Sequence, residues 1–228
     1  AVDERVEAVI AATPTVASRY RNHRTVVVGN ETRLEVFDHC RPSFEAREVL
    51  FTGTPGPAHL FREVVQAVAL TPQVQLKVAG RIQDGETWDW AERVLGSRIT
   101  HLGWLGRSEL AEAMGSASLG LLTYADTDAY AVASPTKSFE FAAAGLPMVA
   151  TPNRMNIQAL TTSGAGFLAD GFTVEALHRA ISEALEDHEA WVQASSAGRQ
   201  WAAENGSWTQ SENRLLRLYA ELLEASRD

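Results

Sequence analysis

Residues 134–151 read SPTKSFEFAAAGLPMVAT, and most of the architecture can be argued from them. Ser134 followed by Pro135 predicts a helix start, because a serine side chain caps exposed amides and proline is tolerated at the first helical position. Gly145 predicts that the helix ends in a left-handed turn. Leu146 to Thr151 then read as a short buried strand. A helix that passes through one glycine into such a strand is the second half of a parallel βα unit.

The same alternation extends in both directions. Short apolar runs occur at EAVIA (7–11), TVVVG (25–29), EVLFTG (48–53), VQLKVAG (74–80), RITHLG (98–103), SLGLLTY (118–124) and GAGFLA (164–169). Between them AHLFREVVQAVAL (58–70), SELAEAMG (108–115) and VEALHRAISEALED (174–187) repeat apolar residues at helical spacing. The predicted fold class is therefore α/β, a doubly wound, Rossmann-like parallel sheet wrapped by helices, with any ligand at the carboxyl ends of the strands. From His188 onward the pattern is wholly helical, and Trp208, Leu215, Leu218, Tyr219 and Leu222 form an apolar stripe. Arg33 to Glu48 is the candidate linker, with a domain boundary near residue 45.

Composition narrows the function. The 228 residues carry 29 acidic and 20 basic groups, a formal net charge of −9, which argues against a broad nucleic-acid surface. An anionic ligand must then be held by a few local groups. The lone Cys40 excludes an internal disulfide and suits a reducing compartment. No apolar run approaches the roughly 20 residues that span a bilayer, so the expectation is a cytoplasmic protein without a transmembrane segment, able to meet a membrane only peripherally. His23, His39, His101, His178 and His188 lack metal-site spacing, and no nucleophile elbow is present.

Lys137 falls in the first turn of the helix that starts at Ser134 and Pro135, where free N–H groups and the helix dipole already favour an anion. Glu140 lies three residues on, about 4.5 Å further along the same face, and a carboxylate can accept hydrogen bonds from two neighbouring hydroxyls. The pair fits a phosphate joined to a ribose. It also fits a surface ion pair contributing a few tenths of a kcal/mol, and spacing alone leaves both readings open. Ala142, Ala143 and Ala144 predict close packing of the helix on the sheet.

SPTKSFEFAAAGLPMVAT resembles the P-x-K-x-x-E-x-x-A-x-G-x-P-V-V-A segment of retaining GT-B glycosyltransferases of the family 4 kind. VLFTGTPGP (49–57) stands where that family has its glycine-rich loop, ITHLGWLGRSELAEAMGSASLGLLTY (99–124) resembles its base-binding region, and NGSWTQSENRLLRLYAEL (205–222) resembles its closing helix. The resemblance implies the donor-binding half of such an enzyme. Residues 1–45 would be a remnant of the amino-terminal domain and its crossover, 46–205 the nucleotide-sugar domain, and 206–228 a helix packing on an acceptor domain or partner.

It also implies roles. Glu140 would bind the donor ribose, while Lys137 with the helix start at Ser134, Pro135 and Thr136 would hold the diphosphate. Gly53, Thr54 and Gly56 would admit the phosphates closely, and Leu102 and Trp104 would bracket the base. The family supplies an arginine after the first of those glycines and a lysine about two turns on. Here Thr54 takes the arginine position, Pro57 to Phe61 offers only His59, and Val132 stands where a paired glutamate belongs, eight residues before Glu140. Lys137 and Arg81 are then left to carry the charge of a leaving diphosphate, and Asp126, Asp128 and Tyr130 face the sugar.

The implied activity is transfer of a hexose-like sugar from a nucleoside diphosphate donor, with retention, without metal or bound cofactor. The acceptor would be a glycan, a lipid-linked sugar or a small molecule, with its domain on this or a separate chain. Two alternatives stand beside it: a non-catalytic transferase-like subunit or scaffold, and a GT-B nucleotide-sugar epimerase.

Overall fold

The computed structural model describes residues 5–130 and 134–225. Strands β1 (Val9–Ala11), β2 (Thr25–Val27), β3 (Glu48–Thr52), β4 (Gln75–Ala79), β5 (Ile99–Gly103), β6 (Leu119–Leu122), β7 (Met148–Ala150) and β8 (Gly166–Leu168) coincide with the eight apolar runs. Between and after them lie helices α1 (Pro14–Ala17), α2 (Phe61–Leu70), α3 (Gly85–Leu95), α4 (Arg107–Ser116), α5 (Thr136–Ala144), α6 (Arg154–Ser163), α7 (Val174–Glu186), α8 (His188–Asn205) and α9 (Trp208–Ala225). β1 and β2 pair in parallel as a sheet of their own, and the other strands form one sheet in the order β5-β4-β3-β6-β7-β8.

Every pairing in the large sheet is parallel. Parallel strands need crossovers, which put helices on both faces and bury both sides of each strand. Side chains alternate accordingly. Val49, Phe51, Leu119, Leu121 and Val149 join one core with Phe61, Val64, Leu177 and Ile181. Leu50, Leu122, Met148 and Ala150 join the other with Met114, Phe141 and Ala142.

α5 sits on the sheet through Phe141, and its alanines are buried in the same core. The ring lies over Gly120, where an added Cβ would come within 2.8 Å of it. The alanine run faces α8 as well: a Cβ at Gly198 would stand 3.4 Å from the Ala142 Cα. The expected close packing is present, but helix against helix supplies part of it.

Arg199 of α8 closes the carboxyl end of α5. Its guanidinium donates to the carbonyls of Ala144 (2.6 Å), Ala143 (3.4 Å) and Cys40 (2.7 Å), placing a cation at the negative end of the helix dipole. Gly145 adopts φ 67, so the helix turns off where the sequence places its end.

The stretch from Arg33 to Glu48 is not a free strap. It holds two short 3-10 turns, Leu34–Phe37 and Phe44–Ala46, and buries Phe37 and Cys40 in the second core. Beyond Gly206, α9 runs back to β2: Ser211 bridges the Gly29 amide (3.1 Å) and the Glu31 carboxylate (2.7 Å), and Arg214 donates to the Val27 carbonyl (3.1 Å). Leu218 is buried there while Tyr219 is exposed, so the apolar stripe is narrower than its sequence suggests. Among the described residues no helix is long and apolar enough to cross a membrane.

Candidate functional site

The order β5-β4-β3-β6-β7-β8 changes direction between β3 and β6. Their outgoing loops part, to β4 on one side and β7 on the other, and open a crevice at the carboxyl ends of the strands. Gly53 leaves β3 into this crevice at φ 118, and its amide donates to the Ala79 carbonyl at 2.8 Å. A side chain at 53 would be strained by that φ, and its Cβ would stand 3.2 Å from the Lys137 Nζ. The φ is what calls for glycine here, since the Lys137 side chain could give way by a few tenths of an ångström. Gly80, next to it on the β4 side, has no room for a Cβ because the Gly53 carbonyl fills that space.

Lys137 reaches back from the first turn of α5 across the end of β3. Its Nζ lies 4.8 Å from the Tyr124 ring centroid and 5.6 Å from that of Phe51. Among the described residues it forms no ion pair, with Glu140 or any other carboxylate, which removes the surface-pair alternative. Burial pushes the ammonium down to about 8 against the pull of Glu140. Glu140 is itself half-buried, and burial raises its carboxyl above the usual range, opposed first by Arg107 and then by Lys137. A crowded ammonium and a crowded carboxylate thus stand one turn apart without closing on each other.

The helix start differs in detail from its prediction. α5 begins at Thr136, Pro135 occupies the capping position in an extended conformation, and no described side chain caps the first turn. Ser134 stands one residue too early to cap; its carbonyl accepts from the Asn30 side chain at 2.7 Å. Ser138 turns its hydroxyl back to the Pro135 carbonyl, at 2.8 Å, and that carbonyl also accepts from the Ser138 amide at 3.1 Å.

The base-binding candidates lie on the edge strand β5, two strands from β3 and so about 10 Å away. Trp104 is not a core residue: it is 71% exposed, and the Arg81 guanidinium lies 4.8 Å over its ring. Leu102 packs beneath, on the second core. Arg81 therefore pairs with Trp104 at this edge. Gly56 is extended at φ 168, and among the described residues no atom lies within 4 Å of where a Cβ would stand, so neither conformation nor space demands glycine there. Asp126 and Asp128 are exposed, the Tyr130 ring lies tilted 4.7 Å from that of Tyr124, and Val132 lies outside the described residues.

Two features were not apparent in the sequence. His59 lies inside the cluster, its ring 5.1 Å from that of Tyr124 and 6.0 Å from that of Phe51. A buried polar network also holds the exit of β6: Thr151 exchanges hydrogen bonds with the backbone of Tyr124 (2.9 and 2.8 Å), and Asn156 donates to the carbonyls of Leu122 (2.7 Å) and Thr151 (2.9 Å). The signal that could have found it is the Asn153 cap of α6, which places Asn156 in the first turn. Among the described residues no group of three His, Cys, Asp or Glu side chains could hold a metal ion. A cleft of about 390 Å³ also reaches the start of α5, between it and the β1–β2 unit, lined by Thr13, Glu31, Ser134, Pro135, Ser138 and Arg214 among others.

Residues 53–217 match the model of a family described as glycosyl transferase-like. No curated protein sequence matches the chain. Among solved structures it is similar to sucrose-phosphate synthase from Thermosynechococcus elongatus, with 21% identity and a TM-score of 0.75 over 98% of this chain and 61% of that one. It is similar also to Anabaena Alr3699/HepE in complex with UDP and glucose, with 16% identity and a TM-score of 0.76 over 95% and 64%. A third is the C-terminal domain of the glycosyl transferase group 1 family protein LpcC from Francisella tularensis, with 12% identity and a TM-score of 0.62 over 77% and 98%. The chain thus spans 61% and 64% of the first two structures, and these likenesses are of fold.

Proposed function

The chain belongs to the glycosyl transferase-like family and has the fold of GT-B glycosyltransferases, and from that premise we propose that it binds the nucleoside diphosphate of a sugar donor at the β3–β6 crevice. The observation that carries the reading is the Lys137 ammonium, held against the Cβ-less backbone of Gly53 with no ion pair among the described residues. Burial disfavours its charge, and an anion entering the crevice would restore it.

In this reading Lys137 and the first-turn amides of α5 neutralise the diphosphate, with Gly53 and Thr54 giving its oxygens close access to backbone. Glu140 accepts from the ribose hydroxyls. The exposed Trp104 ring receives the base, with Leu102 beneath and Arg81 stacked on the opposite side. Negative charge grows on the diphosphate as the glycosidic bond breaks, so its stabilisation is the main electrostatic task of the transfer. Lysine supplies that charge without a metal.

We place the acceptor on a further domain, on this or another chain, and read the transfer as retaining, with departure and attack on one face of the sugar. UDP and glucose accompany the Anabaena relative; for this chain a hexose carried on a nucleoside diphosphate is the corresponding proposal. The family match favours a transferase over a scaffold or an epimerase.

The test is calorimetric titration of a panel of nucleoside diphosphates into the wild type and Glu140→Ala, with circular dichroism of both. The expected result is binding of at least one nucleotide by the wild type, weakened tenfold or more in the variant with an unchanged spectrum. Equal affinity in the two proteins removes the ribose assignment, and no binding by the wild type removes the function.

A further inference from the structure

The loop after Gly53 does not end in a flexible arm. It closes into a 3-10 turn at Pro57–His59, followed by Leu60 in the left-handed region, and is stitched to the exit of β6. Thr123 donates its hydroxyl to the His59 carbonyl at 2.8 Å, and the Ala125 amide donates to the Ala58 carbonyl at 3.1 Å. The imidazole is thereby held among Tyr124, Phe51 and Tyr130, with ring centroids at 5.1, 6.0 and 6.4 Å. Tyr124 and Phe51 are the same rings that carry the Lys137 ammonium. One aromatic cage therefore holds two nitrogen bases.

We propose that His59 is a proton-gated cation of this pocket, neutral while the crevice is empty and protonated from solvent when a diphosphate enters beside Lys137 and Gly53. The inference rests on the nucleotide reading of the crevice. Burial first, and Lys137 second, push the ring down to about 4, against a hydrogen bond to the Thr54 backbone. A diphosphate reverses the second cause and gives an imidazolium its counter-charge. The gate thus supplies a second positive charge only when there is an anion to receive it.

Lys137, Tyr124, Tyr130, Glu140 and Arg107 are the other titratable groups of this pocket. Lys137 of α5, at about 8, is largely protonated between pH 5.5 and 7.5. Tyr124 is pushed upward by burial and stays neutral, and Tyr130 brings the pocket a second phenol. Glu140, raised by burial, would weaken ribose binding on protonation and so opposes the expected trend. Arg107, beside Glu140, carries a guanidinium, which proteins do not deprotonate.

If the bound ring returns to the ordinary value near 6.5, affinity at pH 5.5 exceeds that at pH 7.5 about tenfold. The probes are UDP-, GDP- and ADP-glucose, diphosphate diesters whose phosphates do not titrate in this window. Calorimetry in buffers of unlike ionisation heat should show close to one proton taken up per nucleotide near pH 5.5. His59→Gln should abolish the uptake and the pH slope, and His59→Lys should flatten the profile at its tighter level. Histidine-ring NMR of the wild type reads the same event without a variant: the His59 ring should titrate near 4 when free and above about 6 when saturated. Binding without His59-dependent uptake overturns the gate and leaves the nucleotide site standing. Failure of all three probes to bind at any pH overturns both.

Discussion

Replacing Lys137 by methionine should make the protein more stable and poorer at binding. The ammonium is half-buried, has no ion-pair partner among the described residues, and is driven from 10.5 to about 8 chiefly by burial. That fall corresponds to about 3 kcal/mol favouring loss of the charge. Methionine forfeits the contacts with the Tyr124 and Phe51 rings, about 0.5–1 kcal/mol each, but makes comparable sulfur–aromatic contacts itself. Discounting for partial exposure leaves a gain of about 2 kcal/mol, which for a chain of this size is roughly 4–8 °C in Tm.

The sign of the pH dependence follows from the depressed lysine. Its penalty is fully present below pH 8, shrinks as pH climbs towards 10.5, and is gone above that, where folded and unfolded chains are both neutral. The stability gap between Lys137→Met and wild type, followed by thermal melts from about pH 6 to 10, should therefore be widest at the acid end. Nucleotide affinity should fall tenfold or more in the same variant. A variant less stable than wild type at pH 7, or a gap that does not vary with pH, would refute the reasoning.

Leu60 adopts φ 51 without being glycine, so in Leu60→Gly relief of a left-handed penalty of about 1 kcal/mol should offset the loss of the half-buried side chain, leaving stability within about 1 kcal/mol of wild type in denaturant titrations. Arg199→Leu strips two carbonyls at the end of α5, and that of Cys40, of their charged donor and should lower stability by about 2–3 kcal/mol, read as a drop in urea midpoint. Trp104→Ala removes an exposed ring, so the melt should stay within about 0.5 kcal/mol of wild type while nucleotide binding weakens by about 1–3 kcal/mol, the usual range for a base stacked on an aromatic.

The strands were legible because a parallel sheet buries both faces, so VLF within β3 and LGLL in β6 read as unbroken apolar runs. α7 was legible for the opposite reason, its apolar residues returning at helical spacing on one face. α3 and α6 announce themselves less by period than by their caps, Asp84 and Asn153, and those caps are single polar residues among many. Lys137 and Glu140 could be named from their place at a helix start. What could not be read is that the lysine bends back over Phe51 and Tyr124, because that direction is set by the packing of Phe141 on Gly120. Trp104 shows the same limit: composition cannot tell a tryptophan inside a core from one standing on a sheet edge. His59 looked like a poor substitute for a lysine until the fold put it beside one.

Whether the β3–β6 crevice receives the diphosphate can be read residue by residue, by amide chemical-shift mapping as UDP is titrated into the isotopically labelled chain. The perturbed amides should gather at Gly53–Thr54, at Thr136, Lys137 and Glu140, and at Gly103–Trp104. Shifts gathered instead along the cleft lined by Thr13, Glu31 and Arg214, or none at saturating nucleotide, would mean that the diphosphate does not bind there.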